Sequence, residues 1–179
     1  MNKVTRTAVL MALVFIITAL LSTAAIAKPP EWSKKPPDGG STVYVYADDP
    51  GWSKSGTWMV EDYSPDPGGD KLLVANDAGA TATYTTTSKA KFIEVYAATY
   101  WLCGDVEVCV DGALVATVDL NSETTSFGVL IYSGKFSGDP NLPHTVEIRA
   151  LGTGGPGADT PFGDLSWLHF VNVQYLKLW

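Results

Sequence analysis

Tyr100 and Trp101 stand side by side, and Asp105 follows after Leu102-Cys103-Gly104. Two ring faces beside a carboxylate suit a ligand that has both an apolar face and hydroxyls, because the rings stack and the carboxylate accepts hydrogen bonds. Gly104-Asp105 marks the segment as a tight turn between two alternating runs, and turns at the end of a sheet carry function more often than the sheet itself. A tryptophan in such a turn also serves as a plug over the core, so both roles stay open for Trp101. Trp167, beside the glycine-rich run GTGGPGADTPFGD that begins at Gly152, is expected at the same rim.

Other residue types with chemical potential are few. Asp48-Asp49, and Asp66 with Asp70, place carboxylates in turns, the setting in which a hard cation such as calcium gathers six to eight oxygens. They lack EF-hand spacing, and acidic turns are also simply solvated. Cys103 and Cys109 either bridge across the Gly104-Asp105 bend or remain two buried thiols; a bridge over so short a loop would contribute on the order of 2 kcal/mol. With no histidine close in sequence, they fall short of the four ligands of a structural zinc. His144 begins one expected strand and His169 lies inside another, and neither has a G-x-S-x-G or H-E-x-x-H context. Nothing here assembles a catalytic set, and the chain is expected not to be an enzyme.

Met1 to Ala27 has a basic start at Lys3 and Arg6, an apolar stretch from Ala8 to Leu21 and the small-residue ending Ala25-Ile26-Ala27, the layout of a secretory signal peptide. Cleavage after Ala27 would leave 10 Lys+Arg against 19 Asp+Glu, a formal charge of −9 where the whole chain has −7. Such a surface repels nucleic acid and has no basic stripe to release its counterions. Lys28 to Ser41, rich in proline, reads as an extended linker. The 138 or so residues from Thr42 to Trp179 suit one domain, with no further membrane span, secreted and expected as a monomer.

These residues need a scaffold, and the alternation supplies one. Val106-Glu107-Val108-Cys109-Val110 and Ala113 to Leu120 flank Asp111-Gly112, the sharpest hairpin signal in the chain, since both central residues of a type I′ turn require positive φ. Further strands are expected at Val43–Ala47, Thr57–Val60, Lys71–Asn76, Ala80–Thr87, Phe92–Thr99, Phe127–Ser133, His144–Leu151 and Trp167–Leu176. Helical spacing is absent after the leader, so the expected fold is all-β, an antiparallel β-sandwich or jelly roll. Ile93, Val95 and Ala97, then Val106, Val108 and Val110, then Val146, Ile148 and Ala150 should form the core. Glu94 and Tyr96, Glu107 and Cys109, and Glu147 and Arg149 should face outward.

The ordered runs GATATY at Gly79–Tyr84, FIEVYA at Phe92–Ala97, VEVCVDGALVATVDL at Val106–Leu120 and LPHTVEIRALGT at Leu142–Thr153 resemble the galactose-binding-domain-like jelly rolls. These are similar to carbohydrate-binding modules of secreted glycoside hydrolases and surface proteins. GWSKSGTW at Gly51–Trp58 and LSWLHFVNVQYL at Leu165–Leu176 extend the resemblance over the whole domain, while Trp101-Leu102-Cys103 stands where relatives often have a Gly-rich loop. The resemblance implies a secreted, non-catalytic module that binds a polysaccharide or other glycan through Tyr100, Trp101, Asp105 and Trp167, and a structural calcium is common in such folds. The alternative is an extracellular protein-interaction or structural module with no glycan ligand, using the same sheet edges and outer tyrosines.

Overall fold

The computed structural model describes residues 42–63, 71–87, 89–155 and 168–179. The expected leader and linker (residues 1–41), Asp66, Asp70, Trp167 and much of the glycine-rich run lie outside the described residues. Twelve strands are present: β1 (Val43–Tyr46), β2 (Trp52–Ser55), β3 (Trp58–Asp62), β4 (Lys71–Ala75), β5 (Thr81–Thr85), β6 (Phe92–Thr99), β7 (Asp105–Val110), β8 (Ala113–Asp119), β9 (Ser126–Lys135), β10 (Thr145–Ala150), β11 (Val171–Val173) and β12 (Tyr175–Leu178). Among the described residues no helix is long and apolar enough to cross a membrane. The strands form antiparallel sheets in the orders β1-β12-β6-β9, β2-β5-β10-β7-β8 and β11-β4-β3, the layers of an all-β sandwich.

Asp111 and Gly112 take φ of 50° and 78°, the left-handed pair that the β7–β8 hairpin requires. The expected core faces are the core: Ile93, Val95, Ala97, Val106, Val108, Val146 and Ile148 are fully buried, with Val110 and Ala150 close behind. Two expected outward residues are not exposed. Tyr96 and Cys109 are both only 4% accessible, because neighbouring side chains on the outer faces lie over them. Glu107, Glu147 and Arg149 do face outward and pair, Arg149 reaching Glu107 Oε2 at 3.0 Å and Glu147 Oε1 at 2.6 Å.

The expected strand over Trp167–Leu176 is in fact two strands that join sheets. β11 pairs with β4, and after Gln174 the chain continues as β12 between β1 and β6. At this junction Asn172, fully buried, accepts the Ala98 N–H through Oδ1 at 2.7 Å and donates Nδ2 to the Ala98 carbonyl at 3.0 Å. Its side-chain amide therefore takes the place of a peptide group in the ladder beside β6, where a buried backbone pair would otherwise be orphaned.

Candidate functional site

The turn after β6 is built by its own carbonyls. Cys103 N–H donates to Tyr100 O at 3.0 Å, and the Asn121 amide nitrogen donates to Trp101 O at 2.7 Å and Cys103 O at 3.3 Å, tying this turn to the segment after β8. Gly104 is tight on both sides: a Cβ there would lie 2.5 Å from Thr153 O and 2.9 Å from His169 Cβ. Its N–H donates to Phe170 O at 2.8 Å, and Phe170 N–H donates back to Leu102 O at 3.1 Å. The absence of a side chain at Gly104 thus lets three segments of chain converge at one end of the sandwich.

Asp105 opens β7 at this convergence. Its N–H donates to Thr153 O at 2.8 Å and its Oδ2 accepts from Thr153 Oγ1 at 2.8 Å. His169 lies next to them, ahead of β11 and not inside a strand as its sequence context had suggested. His169 Nδ1 donates to Gly154 O at 2.6 Å, and His169 N–H donates to Asn76 Oδ1 at 2.7 Å. The rim therefore gathers Trp101, Asp105, Asn121, Thr153 and His169, with the Trp101 side chain half-buried and Asp105 partly exposed. Asn121, Thr153 and His169 carry no sequence signal as site residues. Their only hint is that each lies in a segment whose turn residues, once folded, must return to the same end.

Tyr100 departs from the expectation. Its ring is 7% accessible, so it belongs to the core beneath the rim and offers no face to a ligand. Burial holds its hydroxyl well above the ordinary phenol range, with Cys103 and Tyr63 adding to the effect. Tyr63 is raised as well, by burial and by donating to Glu61. Cys103 completes this layer: burial pushes its thiol up to about 12, and Sγ sits 3.9 Å from Ala98 O and 3.6 Å from Asn172 Nδ2. A disulfide to Cys109 is not formed. Both thiols are free and buried, Cys103 in this layer and Cys109 on the face of β7 that carries Glu107, opposite Glu147 of β10.

Asp48 and Asp49 do not present a cation cradle. Asp48 Oδ2 pairs with Lys71 Nζ at 2.5 Å, and Asp49 Oδ1 accepts the Gly51 N–H at 2.7 Å, so both carboxylates serve the turn after β1. Among the described residues no group of three or more His, Cys, Asp and Glu could hold a metal ion. Trp52 is buried, edge-on to Tyr84 at 5.6 Å with its indole N–H donated to Tyr46 O at 2.9 Å, a packing role; Trp58 is half-buried and donates to Ser55 O. His144 is buried too, stacked on Phe136 at 4.4 Å with Nδ1 2.9 Å from Asp111 Oδ2.

No protein-family model matches the chain, and no curated protein sequence does. Solved structures do. A family 35 carbohydrate binding module from Clostridium thermocellum aligns over 78% of this chain and 98% of its own length, with 14% identity and a TM-score of 0.50. A two-domain esterase active on acetylated mannans, crystallised with mannopentaose, aligns over 75% of this chain at 16% identity and a TM-score of 0.50, and the match spans 35% of that enzyme. The CBM36-1 domain of a multidomain xylanase from the hindgut metagenome of Trinervitermes trinervoides aligns over 78% of this chain and 97% of its own length, at 15% identity and a TM-score of 0.47. The chain accordingly shares its antiparallel jelly-roll fold with the family 35 carbohydrate binding module.

Proposed function

We propose that the protein is a secreted, non-catalytic module that binds a glycan at the loop rim, with Trp101 stacking on a sugar ring and Asp105, Asn121 and Thr153 taking hydroxyls. The observation that carries this reading is the convergence of three segments at Gly104, which brings the Asp105 carboxylate and the Thr153 hydroxyl to the same end of the sandwich as the turn of the half-buried Trp101, whose backbone carbonyl the Asn121 amide holds. The jelly-roll fold shared with a carbohydrate-binding module supports it. Trp167, two residues before His169 in the sequence, is proposed as a further contact of this ligand. Tyr100 acts from below, filling the space under the turn.

One ring and a few hydrogen bonds supply weak binding, about −4 to −8 kcal/mol, or millimolar to micromolar affinity. Glycan-array binding and native gels cast with polysaccharide test the reading. Trp101→Ala should weaken retention severalfold while thermal unfolding stays within a few degrees of the parent, and free oligosaccharide should compete. Retention that survives Trp101→Ala and ignores free sugar would instead favour a protein-interaction module, whose interface of about 1,600 Å² has no reason to respond to sugar.

A further inference from the structure

A second surface lies away from the rim, on the outer face of the β1-β12-β6-β9 sheet. Alternation in β1 turns Val45 into the core and leaves Tyr44 and Tyr46 outside, 39% and 55% accessible. The register sets Tyr46 opposite Tyr175 on β12, and Tyr175 opposite Tyr96 on β6. Tyr44, Tyr46 and Tyr175 form a near-equilateral triangle, with ring centroids 6.2, 6.2 and 6.0 Å apart. Tyr96 stacks against Tyr175 at 4.5 Å and 19° and forms the buried base of the group.

This base is pinned. Tyr96 Oη donates to Glu94 Oε2 at 2.9 Å, and Lys177 Nζ donates to the same oxygen at 3.0 Å. Lys177 and Glu94 are each about one-sixth accessible and neutralise one another, so the aromatic cluster is braced by a charge pair that leaves it without net charge. Cross-strand aromatic pairs stabilise a sheet, which accounts for the ring contacts. It does not account for leaving two tyrosine rings of one edge strand open to solvent.

We propose that the outer face of this sheet is a second ligand surface that takes an uncharged polysaccharide chain by stacking on Tyr44, Tyr46 and Tyr175. Tyrosine rings offer apolar faces to pyranose C–H groups, and their hydroxyls bond to sugar hydroxyls. A polyanionic glycan is disfavoured by the formal −7 of the chain and by the absence of a spare cation in the cluster. Size argues against a protein partner. Rings of about 200 Å² each, exposed to this degree, present on the order of 200–300 Å², against about 800 Å² per side in a standard interface. The surface stands apart from the proposed rim site and does not depend on it.

Affinity electrophoresis of the full chain in gels containing galactomannan, xyloglucan, mixed-linkage β-glucan or dextran tests the proposal. Tyr44→Ala with Tyr46→Ala should weaken retardation at least tenfold on one or more of these polymers, Tyr44→Phe with Tyr46→Phe should retain most of it, and Trp101→Ala should leave a measurable part. If the double alanine variant loses stability, Tyr46→Ala alone carries the test. Retardation unchanged in the alanine variants, retardation abolished by Trp101→Ala alone, or no retardation of the parent on any of the four polymers would overturn the proposal. So would sedimentation showing a dimer that the Tyr44→Ala/Tyr46→Ala variant breaks, which would assign the face to self-association. Loss of the rim site alone would remove the Trp101 effect and leave the tyrosine effect in place, so the two proposals fail separately.

Discussion

Asn172→Ala is the sharpest test of how this fold is joined. Asn172 is fully buried, and its amide satisfies both polar groups of Ala98, itself fully buried, at 2.7 and 3.0 Å. Alanine removes the partner of the Ala98 N–H and leaves the Ala98 carbonyl only the weak Cys103 thiol donor at 3.9 Å, with no replacement from the backbone, because β11 is bonded to β4 on its other side. Leaving a buried N–H unpaired and a buried C=O poorly paired costs about 1–3 kcal/mol each. The small cavity adds to this, so the expected loss is about 3–5 kcal/mol, a large share of the roughly 5–15 kcal/mol that stabilises a typical domain. Urea unfolding followed by tryptophan fluorescence should show a much lower midpoint with an unchanged slope. Asn172→Asp separates the two bonds. It keeps an acceptor for the Ala98 N–H and, once ionised, turns a second lone pair toward the Ala98 carbonyl. Burial disfavours the charged form, so the deficit of this variant should grow as pH rises through the carboxylate range and shrink in acid, where the protonated side chain can donate. A loss below about 1 kcal/mol for Asn172→Ala, or a pH-independent deficit for Asn172→Asp, would refute the claim that this amide completes the ladder.

Two further outcomes follow from buried groups. The thiols are free, so reductant should leave the melting temperature unchanged, and a thiol reagent should find two reactive groups per chain only after denaturation. Cys103 has its folded value raised from 9.0 to about 12 by burial, so the contribution of its neutral form is complete below pH 9 and is lost as pH climbs toward 12. Stability should fall by about 1.4 kcal/mol per pH unit in the lower part of that window, a decline that Cys103→Ala should flatten; a parent curve flat from about pH 9 to 10.5 would contradict it. At the β7–β8 hairpin, Asp111 holds φ of 50° while its carboxylate accepts Thr145 N–H at 2.9 Å and faces His144 Nδ1 at 2.9 Å. Asp111→Ala should cost about 1–3 kcal/mol in thermal or chemical unfolding and Asp111→Asn less than half as much, because asparagine tolerates the left-handed region and can still bond. Equal losses in the two variants would count against this account.

Most strands are legible because half-buried alternation is a local signal. Phe92–Thr99 appears in the structure with the bounds that its residues suggest, and Asp111-Gly112 turns as its positive-φ requirement demands. β2 escapes for the same reason. In Trp52-Ser53-Lys54-Ser55 only Trp52 is buried, so a one-partner edge strand leaves no pattern to read. The division of Trp167–Leu176 has a visible cause in retrospect. Asn172 and Gln174 are polar residues inside an apolar run, and a buried amide must find partners, which here means a change of sheet.

The site is less legible than the fold because exposure depends on what lies over a residue, and alternation reports only which way it points. Tyr96 points outward from β6 and is buried because Tyr175 covers it, whereas Tyr46 points the same way from an edge strand and remains open. Tyr100 sits in a turn beside Trp101 and yet fills the core, since its hydroxyl has Cys103 and Tyr63 as partners below the rim. A ring available to a ligand is therefore found where the chain runs out of neighbours, at an edge strand or at the crest of a loop. Tyr44, Tyr46 and Trp101 meet that condition, and the tyrosines that look equivalent to them in the sequence do not. If glycan binding maps to both places, the module carries two weak contacts on one rigid body. Two such contacts engaging one polymer would gain affinity from effective concentration, by a factor that can reach 10² or more without any further contact. Affinity for a long polymer should then fall more in the combined Trp101→Ala and Tyr44→Ala/Tyr46→Ala variant than on a short oligosaccharide able to fill only one place. Identical losses on the long and short ligands would mean that the two surfaces never act together.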